Sequence, residues 1–486
     1  MGLLDTGEWA GKIFSDGWRD GGAGTTDVVA PATGETLQQI GLAGASDVAR
    51  AAERAAAAQH DWARAPYTER AAVLRRAGAL WEEHADEVQD WLVREAGSIR
   101  PKAAVETDTA AQECYEAAAL ASHPTGEIIP SALPRLSLAQ RRPVGVVGVI
   151  APFNFPLILA IRSVAPALAL GNAVVLKPDT RTAVCGAVSI ARIFEAAGLP
   201  DGLLHVLPGD VGTGEAVVTD PRIPVISFTG STRAGRRVGE LAGQHLKRAH
   251  LELGGNSALI VLADADLELA ASAGAWGSFL HQGQICMTTG RHLVHESIVA
   301  DYLTLLAAKA EHLPVGDPAG AEVALGPIID AQQRDKIHGL VTESVGQGAR
   351  LAAGGTYTDL FYRPTVLADV KPSMPAFRDE VFGPVAPVVG FADTDELVAL
   401  ASDTDYGLSL GILSGDAARA LEIAEQIPSG IVHINDQTVS DEAVAPFGGV
   451  GASGTGSRFG GRTANLDAFT ETRWMTVQGE ITRYPF

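Results

Sequence analysis

From Val144 onward, short runs of Val and Ile alternate with longer helical segments, and this alternation restricts the possible folds more than any other feature. The runs 144–150, 173–176 and 225–228 are separated by helical segments at 156–170, 182–197 and 232–243. Strands joined through helices pair in parallel, and continuous apolar runs need cover on both faces of their sheet. After Gly254-Gly255 the alternation resumes with a strand at 257–262, a helix from Leu267 to Phe279, and further repeats to Ile434. The pattern predicts an α/β chain with two parallel-sheet units joined near 253–257. Upstream, Ser46-Asp47 opens an Ala-rich helical stretch to about Trp62. A second stretch runs from Thr68 through Leu80, Trp81, Val88 and Trp91 to Gly97. The Pro-punctuated piece 124–142 and the tail 470–486 fit neither unit, and read as strands for self-association or as surface loops.

Charge and composition narrow the function classes. Among 486 residues, 37 are basic and 58 acidic, a net charge of −21. That balance argues against nucleic-acid partners and against a basic membrane-surface protein. Pro143 to Ile161 carries no charge until Arg162 and is long enough to span a bilayer. Pro143, Pro152, Pro156, Gly145 and Gly148 interrupt it, so it reads as a buried strand, a loop and a helix start. The first residues include Asp5 and Glu8 and no apolar h-region, which argues against a secretory signal. Cys114, Cys185 and Cys286 are too few and too widely spaced for a disulfide framework or a paired-cysteine metal site. A reducing, cytoplasmic setting follows, with no metal expected.

Several local motifs carry chemistry. Gln282-Gly283-Gln284-Ile285-Cys286-Met287-Thr288 puts a cysteine in a Gly- and Gln-flanked turn, which suits a reactive thiol as well as a buried small side chain. Cys114 and Cys185, on Ala-rich helical faces, read as core. Leu251-Glu252-Leu253-Gly254-Gly255-Asn256 puts a glutamate at a strand's carboxyl end, where open α/β sheets build sites. The alternative is an ion pair with Lys247 or Arg248. In Ala151-Pro152-Phe153-Asn154-Phe155-Pro156, an asparagine held between prolines can donate to a developing oxyanion, or can simply shape a turn. Phe228-Thr229-Gly230-Ser231 enters a helix whose first N–H groups can meet a phosphate, although it is not G-x-G-x-x-G. Strand 173–176 runs into Lys177. His281 near Cys286 raises a Cys/His hydrolase, but no orienting Asn or Asp accompanies it.

Taken in order, PFNFP, LKP, FTGS, LELGG, GQxC and EVFGP resemble the NAD(P)-dependent aldehyde dehydrogenase superfamily along essentially the whole chain. Glu252 and Cys286 are 34 residues apart (286 − 252), a spacing similar to that family's. The resemblance implies two Rossmann-like parallel-sheet domains and a small β oligomerisation element. Residues 1–123 and 144–253 would bind cofactor, 254–469 would carry catalysis, and 124–143 with 470–486 would join a homodimer or homotetramer. It implies Cys286 as nucleophile, Asn154 with the Cys286 N–H as oxyanion donors, and Glu252 as the base that activates water. For NAD it implies Lys177 at the adenosine ribose, Gly230, Ser231 and Gly235 at the pyrophosphate turn, and Glu380 and Phe382 at the nicotinamide ribose and ring. Thr180 stands where NAD-preferring members often have Glu, so NADP stays open as a second cofactor. Phe153 stands where many members have Trp, and Arg162-Ser163 where many have Trp-Lys.

The segments 277–295, 432–437, 446–461, 11–18 and Tyr484-Pro485-Phe486 are similar to bacterial NAD-dependent benzaldehyde dehydrogenases. This implies an aromatic aldehyde in a tunnel lined by Phe153, Phe155, Leu159 and Phe447, with ordinary core packing the alternative for each. An aliphatic aldehyde or semialdehyde is the competing substrate. A carboxylated one would need a pocket cation, for which Arg162 and Arg291 are the candidates. A CoA-acylating enzyme is disfavoured by Glu252, and a catalytically silent relative by Cys286, Glu252 and Asn154 together.

Overall fold

The computed structural model describes residues 2–123 and 125–486; Met1, and Pro124 at the start of the expected association segment, lie outside the described residues. Two seven-stranded sheets dominate the molecule. In the first, the spatial order is Arg248–Glu252, Val225–Thr229, Val146–Ile150, Ala173–Lys177 and Leu204–Val206, all parallel. The hairpin Lys12–Phe14 and Trp18–Asp20 closes that edge antiparallel. The chain lays its strands outward from 146–150 to 204–206, then returns to add 225–229 on the opposite side. The order therefore reverses between 146–150 and 225–229, and a crevice opens beyond their carboxyl ends. Residues 151–156 and 229–231 leave from those two ends.

In the second sheet the order is Arg350–Ala353, Thr365–Ala368, Val385–Phe391, Thr289–His295, Ser257–Val261, Ser409–Leu413 and Ile431–Ile434. Only the Arg350–Ala353 strand runs antiparallel to its neighbour. As the continuous apolar runs predict, helices cover both faces. All of Val146–Ile150 is buried, and so is every residue of the helix Ile158–Ala169 behind it. Trp9, Trp62 and Trp81 anchor the helices over the first sheet, while Phe377 and Phe279 with Tyr302 pack the two sides of the second.

A third, antiparallel sheet of Gly126–Ile128, Leu136–Pro143 and Thr470–Val477 stands apart from both. Residues 129–135 and 478–486 form no strand, so the two segments expected to associate are part strand and part loop. Among the described residues, no helix is long and apolar enough to cross a membrane.

Two elements differ from the sequence reading. The stretch from Thr68 to Gly97 is two helices, Tyr67–Glu83 and Ala85–Ala96, separated by His84 at φ −105° and ψ 17°. The His84 N–H still bonds Leu80 and its carbonyl still accepts from Val88, so the axis bends without the Gly or Pro that would mark a stop. The segment 182–197 divides into a 3-10 turn Thr180–Thr182, a wide π turn Val184–Val188, and an α-helix Ser189–Ala196. Glu95 accepts from the Val184 and Cys185 N–H groups at 2.9 and 2.7 Å, fixing where the wide turn begins. Gly186 within it presses on the 151–157 loop, where a Cβ would come 2.6 Å from Pro156 Cβ.

Gly186→Ala should therefore overpack this contact and destabilise the protein by about 1–3 kcal/mol. Urea or thermal unfolding measures this, and an unchanged midpoint would show that Pro156 yields at no cost.

Candidate active site

The strand Arg248–Glu252 ends at the carboxyl edge of the first sheet, and Leu253-Gly254-Gly255-Asn256 carries the chain directly to the amino edge of the second. Thr289 begins the adjacent strand of that sheet, so the 280–288 turn with Cys286 lies on the same edge. Cys286 and Glu252 thus meet in the seam between the sheets. The contact there is backbone to backbone, since a Cβ on Gly255 would lie 2.4 Å from the Cys286 carbonyl oxygen.

The Cys286 turn reverses through three successive left-handed residues, His281, Gln282 and Gly283, with φ of 48°, 56° and 64°. Left-handed backbone is unfavourable for two of these residue types and needs outside support. The Gln282 amide donates to the Gly97 and Pro327 carbonyls at 3.1 and 2.8 Å, and Gln284 Oε1 accepts from Ile329 N–H. The Thr288 hydroxyl donates to the Gly283 carbonyl. Cys286 keeps some exposure, whereas Cys114 and Cys185 are buried, as expected of core residues. Burial pushes the Cys286 thiol up to about 12; Glu380 and Glu252 add to the effect, and Arg162 opposes it.

Both oxygens of Glu252 are buried without a hydrogen-bond partner among the described residues. Burial pushes its carboxyl well above the usual range, against the pull of Arg458 and Arg162. The structural ion pairs do not form. Lys247 instead donates to the Asp220 carbonyl, and Arg248 to the carbonyls of Asp467, Ala468 and Thr470. Asn154 is buried, and its backbone carbonyl accepts from Lys102 Nζ at 2.8 Å.

The crevice of the first sheet suits an anionic dinucleotide. Gly230 N–H is bonded to the Glu252 carbonyl, and Ser231 caps the helix Thr232–Gln244, whose first turn has no acidic residue. Gly235 lets this helix ride on the Glu252-Leu253 segment, since a Cβ there would meet Leu253 Cδ2 at 2.1 Å. Lys177 ends the central strand, with burial lowering its ammonium and Asp179 drawing it back up. Glu380 Oε1 accepts from Gly255 N–H at 3.1 Å, and burial pushes this carboxyl to about 7. Phe382, left-handed at φ 54°, sets its ring edge-on to Phe153 at 5.9 Å.

The aromatic residues divide. Phe155 and Phe447 share one apolar cluster with Ile285, Met287, Leu408, Leu280 and Cys286. Leu159 lies on the next turn, its N–H bonded to the Phe155 carbonyl. Phe153 faces away from this cluster, between Phe382 and the Arg181 guanidinium 4.2 Å above its ring. Arg162 pairs with Asp441 and stacks 4.6 Å over Phe447. Arg291 gives its donors to the carbonyls of Asn256, Leu400 and Ala401 and is unavailable to a ligand. Lys102, Glu106, Asp441 and Arg458, none of them singled out from the sequence, complete the surroundings. His281 is buried beside Phe155 with Nδ1 unpartnered among the described residues.

Comparison with known proteins places the chain in a family. A family model described as the aldehyde dehydrogenase family matches residues 18–475. A vanillin dehydrogenase of an Amycolatopsis species is 66% identical over 486 residues, 100% of both chains. The benzaldehyde dehydrogenase [NAD(+)] of Pseudomonas putida is 51% identical over 98% of both. Among solved structures, a salicylaldehyde dehydrogenase from Pseudomonas putida complexed with salicylaldehyde is 36% identical with a TM-score of 0.94, over 98% of this chain and 99% of that one. A betaine aldehyde dehydrogenase from Staphylococcus aureus in complex with NAD+ is 28% identical with a TM-score of 0.96, over 100% and 98%.

The carboxylates around Cys286 make a pH-dependent prediction. Above pH 7 Glu380 is ionised and disfavours the thiolate, so Glu380→Gln should speed Cys286 alkylation at pH 8.5 by about three- to tenfold, under 1.4 kcal/mol. At pH 6, where Glu380 is protonated, the two proteins should react alike. Iodoacetamide labelling of the free enzyme, read by peptide mass spectrometry, measures both rates. Equal rates at both pH values would show that this charge does not reach the sulfur.

Proposed function

The chain belongs to the aldehyde dehydrogenase family, and from that premise we propose that it oxidises aromatic aldehydes to carboxylic acids with NAD, using Cys286, Glu252 and Asn154. The observation carrying this reading is the seam, where a thiol and a buried carboxylate lie within electrostatic reach of one another and the thiol borders an apolar cluster containing Phe155 and Phe447. The relatives named for vanillin, benzaldehyde and salicylaldehyde support the aromatic substrate.

In this reading the Cys286 thiol gives up its proton to solvent, and the resulting thiolate adds to the aldehyde carbonyl to form a thiohemiacetal. The Asn154 side-chain amide and the Cys286 N–H donate to the oxyanion, and a donor of this kind supplies about 3–4 kcal/mol. NAD, when bound, supplies the hydride acceptor. Glu252 then takes a proton from the water that hydrolyses the remaining thioester. Its raised pKa means that this step gains rate as pH rises and the carboxyl ionises. Lys177, Gly230, Ser231, Gly235, Glu380 and Phe382 hold the cofactor. With Thr180 in place of an acid, activity with NADP is expected as well. Phe155, Leu159 and Phe447 receive the aromatic ring, while Phe153 belongs to the cofactor side. Arg162 Nε and Nη1 and Asp441 Oδ1, buried and unpartnered among the described residues, would suit a ring hydroxyl. Asp441 already compensates Arg162, which disfavours Arg162 as the seat of a semialdehyde carboxylate.

On the same reading, 1–123 and 144–253 form the cofactor-binding domain and 254–469 the catalytic domain. Segments 124–143 and 470–486 join a homodimer or homotetramer, for which the exposed Ile128, Trp474, Ile481 and Phe486 supply apolar surface. Three cysteines without a disulfide fit the cytoplasm.

NADH formation with benzaldehyde and vanillin should exceed that with hexanal and succinate semialdehyde; a preference for hexanal would overturn the aromatic assignment. Cys286→Ala should abolish turnover, Asn154→Ala should lower it about 10²–10³-fold, and Glu252→Gln should leave an NADH burst followed by slow hydrolysis. Steady turnover in both Cys286→Ala and Glu252→Gln would refute the mechanism. Removal of residues 470–486 should reduce the assembly to smaller species by light scattering, and an unchanged mass would remove the association role.

A further inference from the structure

Beneath the Asn154 loop lies a buried ion pair that the chemistry above does not use. Lys102 and Glu106 sit one turn apart on the helix Arg100–Leu120, at 3% and 0% exposure. The Lys102 ammonium donates to Glu106 Oε1, to Ser98 Oγ at 3.1 Å, and to the Asn154 carbonyl at 2.8 Å. All three of its N–H donors are therefore spent. It also lies 4.2 Å from the centre of the Phe155 ring. The other Glu106 oxygen accepts from Leu157 N–H at 3.1 Å and Ile158 N–H at 3.4 Å. These amides open the helix Ile158–Ala169, whose N-cap residue Leu157 has no side-chain cap of its own.

The two side chains thus grip both ends of the segment 154–158 and are joined to each other. Gly186 closes on Pro156 from another side. The His281 ring stands edge-on to Phe155 at 5.5 Å, so this loop also touches the Cys286 turn. Burial lowers the Lys102 ammonium and raises the Glu106 carboxyl, and each group's charge is favoured by the other. An uncompensated member would be unfavourable here, so the pair acts as a unit.

We propose that Lys102 and Glu106 are positioning residues for the oxyanion donor, their ion pair fixing the backbone at 154–158 so that the Asn154 amide is held where negative charge develops. The proposal rests on the reading of Asn154 given above. Donors of this kind act by preorganisation, and an ångström of misplacement can cost about 10²-fold in rate.

The test is a double-mutant cycle read in the single-turnover NADH burst with benzaldehyde. Lys102→Met should slow the burst about 10–100-fold while leaving the aldehyde KM within about threefold and NAD affinity unchanged. Lys102→Met in an Asn154→Ala background should be no slower than Asn154→Ala alone, because no amide is left to position. A purely structural role would multiply the two losses, and that result, or a normal burst in Lys102→Met, would overturn the proposal. Because Lys102→Met strands the Glu106 carboxyl, Lys102→Met with Glu106→Gln removes both charges and keeps an acceptor for Leu157 and Ile158. This variant should keep its melting temperature and show the same slowed burst; a folded double variant with a wild-type burst would equally overturn the proposal. If Asn154→Ala itself keeps a normal burst, the oxyanion reading fails, and this outcome is distinct from a failure of the ion pair alone.

Discussion

The seam at Gly255 and the Cys286 carbonyl is the constraint on which the rest of the site depends. There is no space there for even a methyl group, so the two sheets meet with main chain against main chain. That closeness lets the carboxyl edge of one sheet and the amino edge of the other serve a single site. It also sets Glu380 against Gly255 N–H and brings Glu252 within electrostatic reach of the thiol. Any side chain at Gly255 would separate the groups whose mutual influence defines the chemistry. Main chain packed on main chain fixes positions more tightly than side-chain packing, because neither partner has a rotamer through which to relax. Gly235 gives a second close approach, there between the helix of the cofactor crevice and the Leu253 side chain.

The second consequence is electrostatic. Desolvation is the largest influence on Cys286, Glu252 and Glu380, and in each case it favours the neutral form. Burial therefore weights both Cys286 and Glu252, the nucleophile and base of the proposed mechanism, toward their uncharged forms. The cations within reach, Arg162 and Arg458, offset this only in part, and Asp441 already holds Arg162. The overall charge of −21 has little bearing here, because exposed charges beyond a Debye length of about 8 Å are screened while buried neighbours are not. Local burial, rather than net charge, sets the protonation states from which the reaction starts.

Much of this was legible in the sequence. Apolar runs on buried parallel strands need no long-range information, and the helix Leu267–Phe279 keeps the bounds read from its residues. The Gly- and Gln-flanked turn at Cys286 left a reactive thiol and a buried small side chain equally open, and its Gln282 and Gln284 side chains are buried. Lys102 and Glu106 were not legible, since a Lys–Glu pair four residues apart is the usual signature of a solvated helix face. Only tertiary packing turns that face inward. Asp441 meets Arg162 across 279 residues of chain, a pairing that no local pattern carries. The left-handed backbone at His281 and Gln282 is likewise imposed from outside, by the carbonyls of Gly97 and Pro327 and the amide of Ile329. The wide turn at 184–188 exists because Glu95 and Pro156, both distant in sequence, shape it.

The loop 151–157 shows why sequence proximity and shared role can part. Phe153 and Phe155 are two residues apart and were read as one pocket wall. Yet the first packs on Phe382 and Arg181 toward the cofactor crevice, and the second joins the apolar cluster around Cys286. Asn154 stands between them, so in the proposed reading one short loop borders both cofactor and substrate and carries the polar group between them. Rigidity is therefore a requirement at this point in the fold, and the prolines on either side of the loop limit its backbone without fixing its location. Its location is fixed from below, by hydrogen bonds that Lys102 and Glu106 supply to main-chain groups and that would survive substitution of the loop's own side chains.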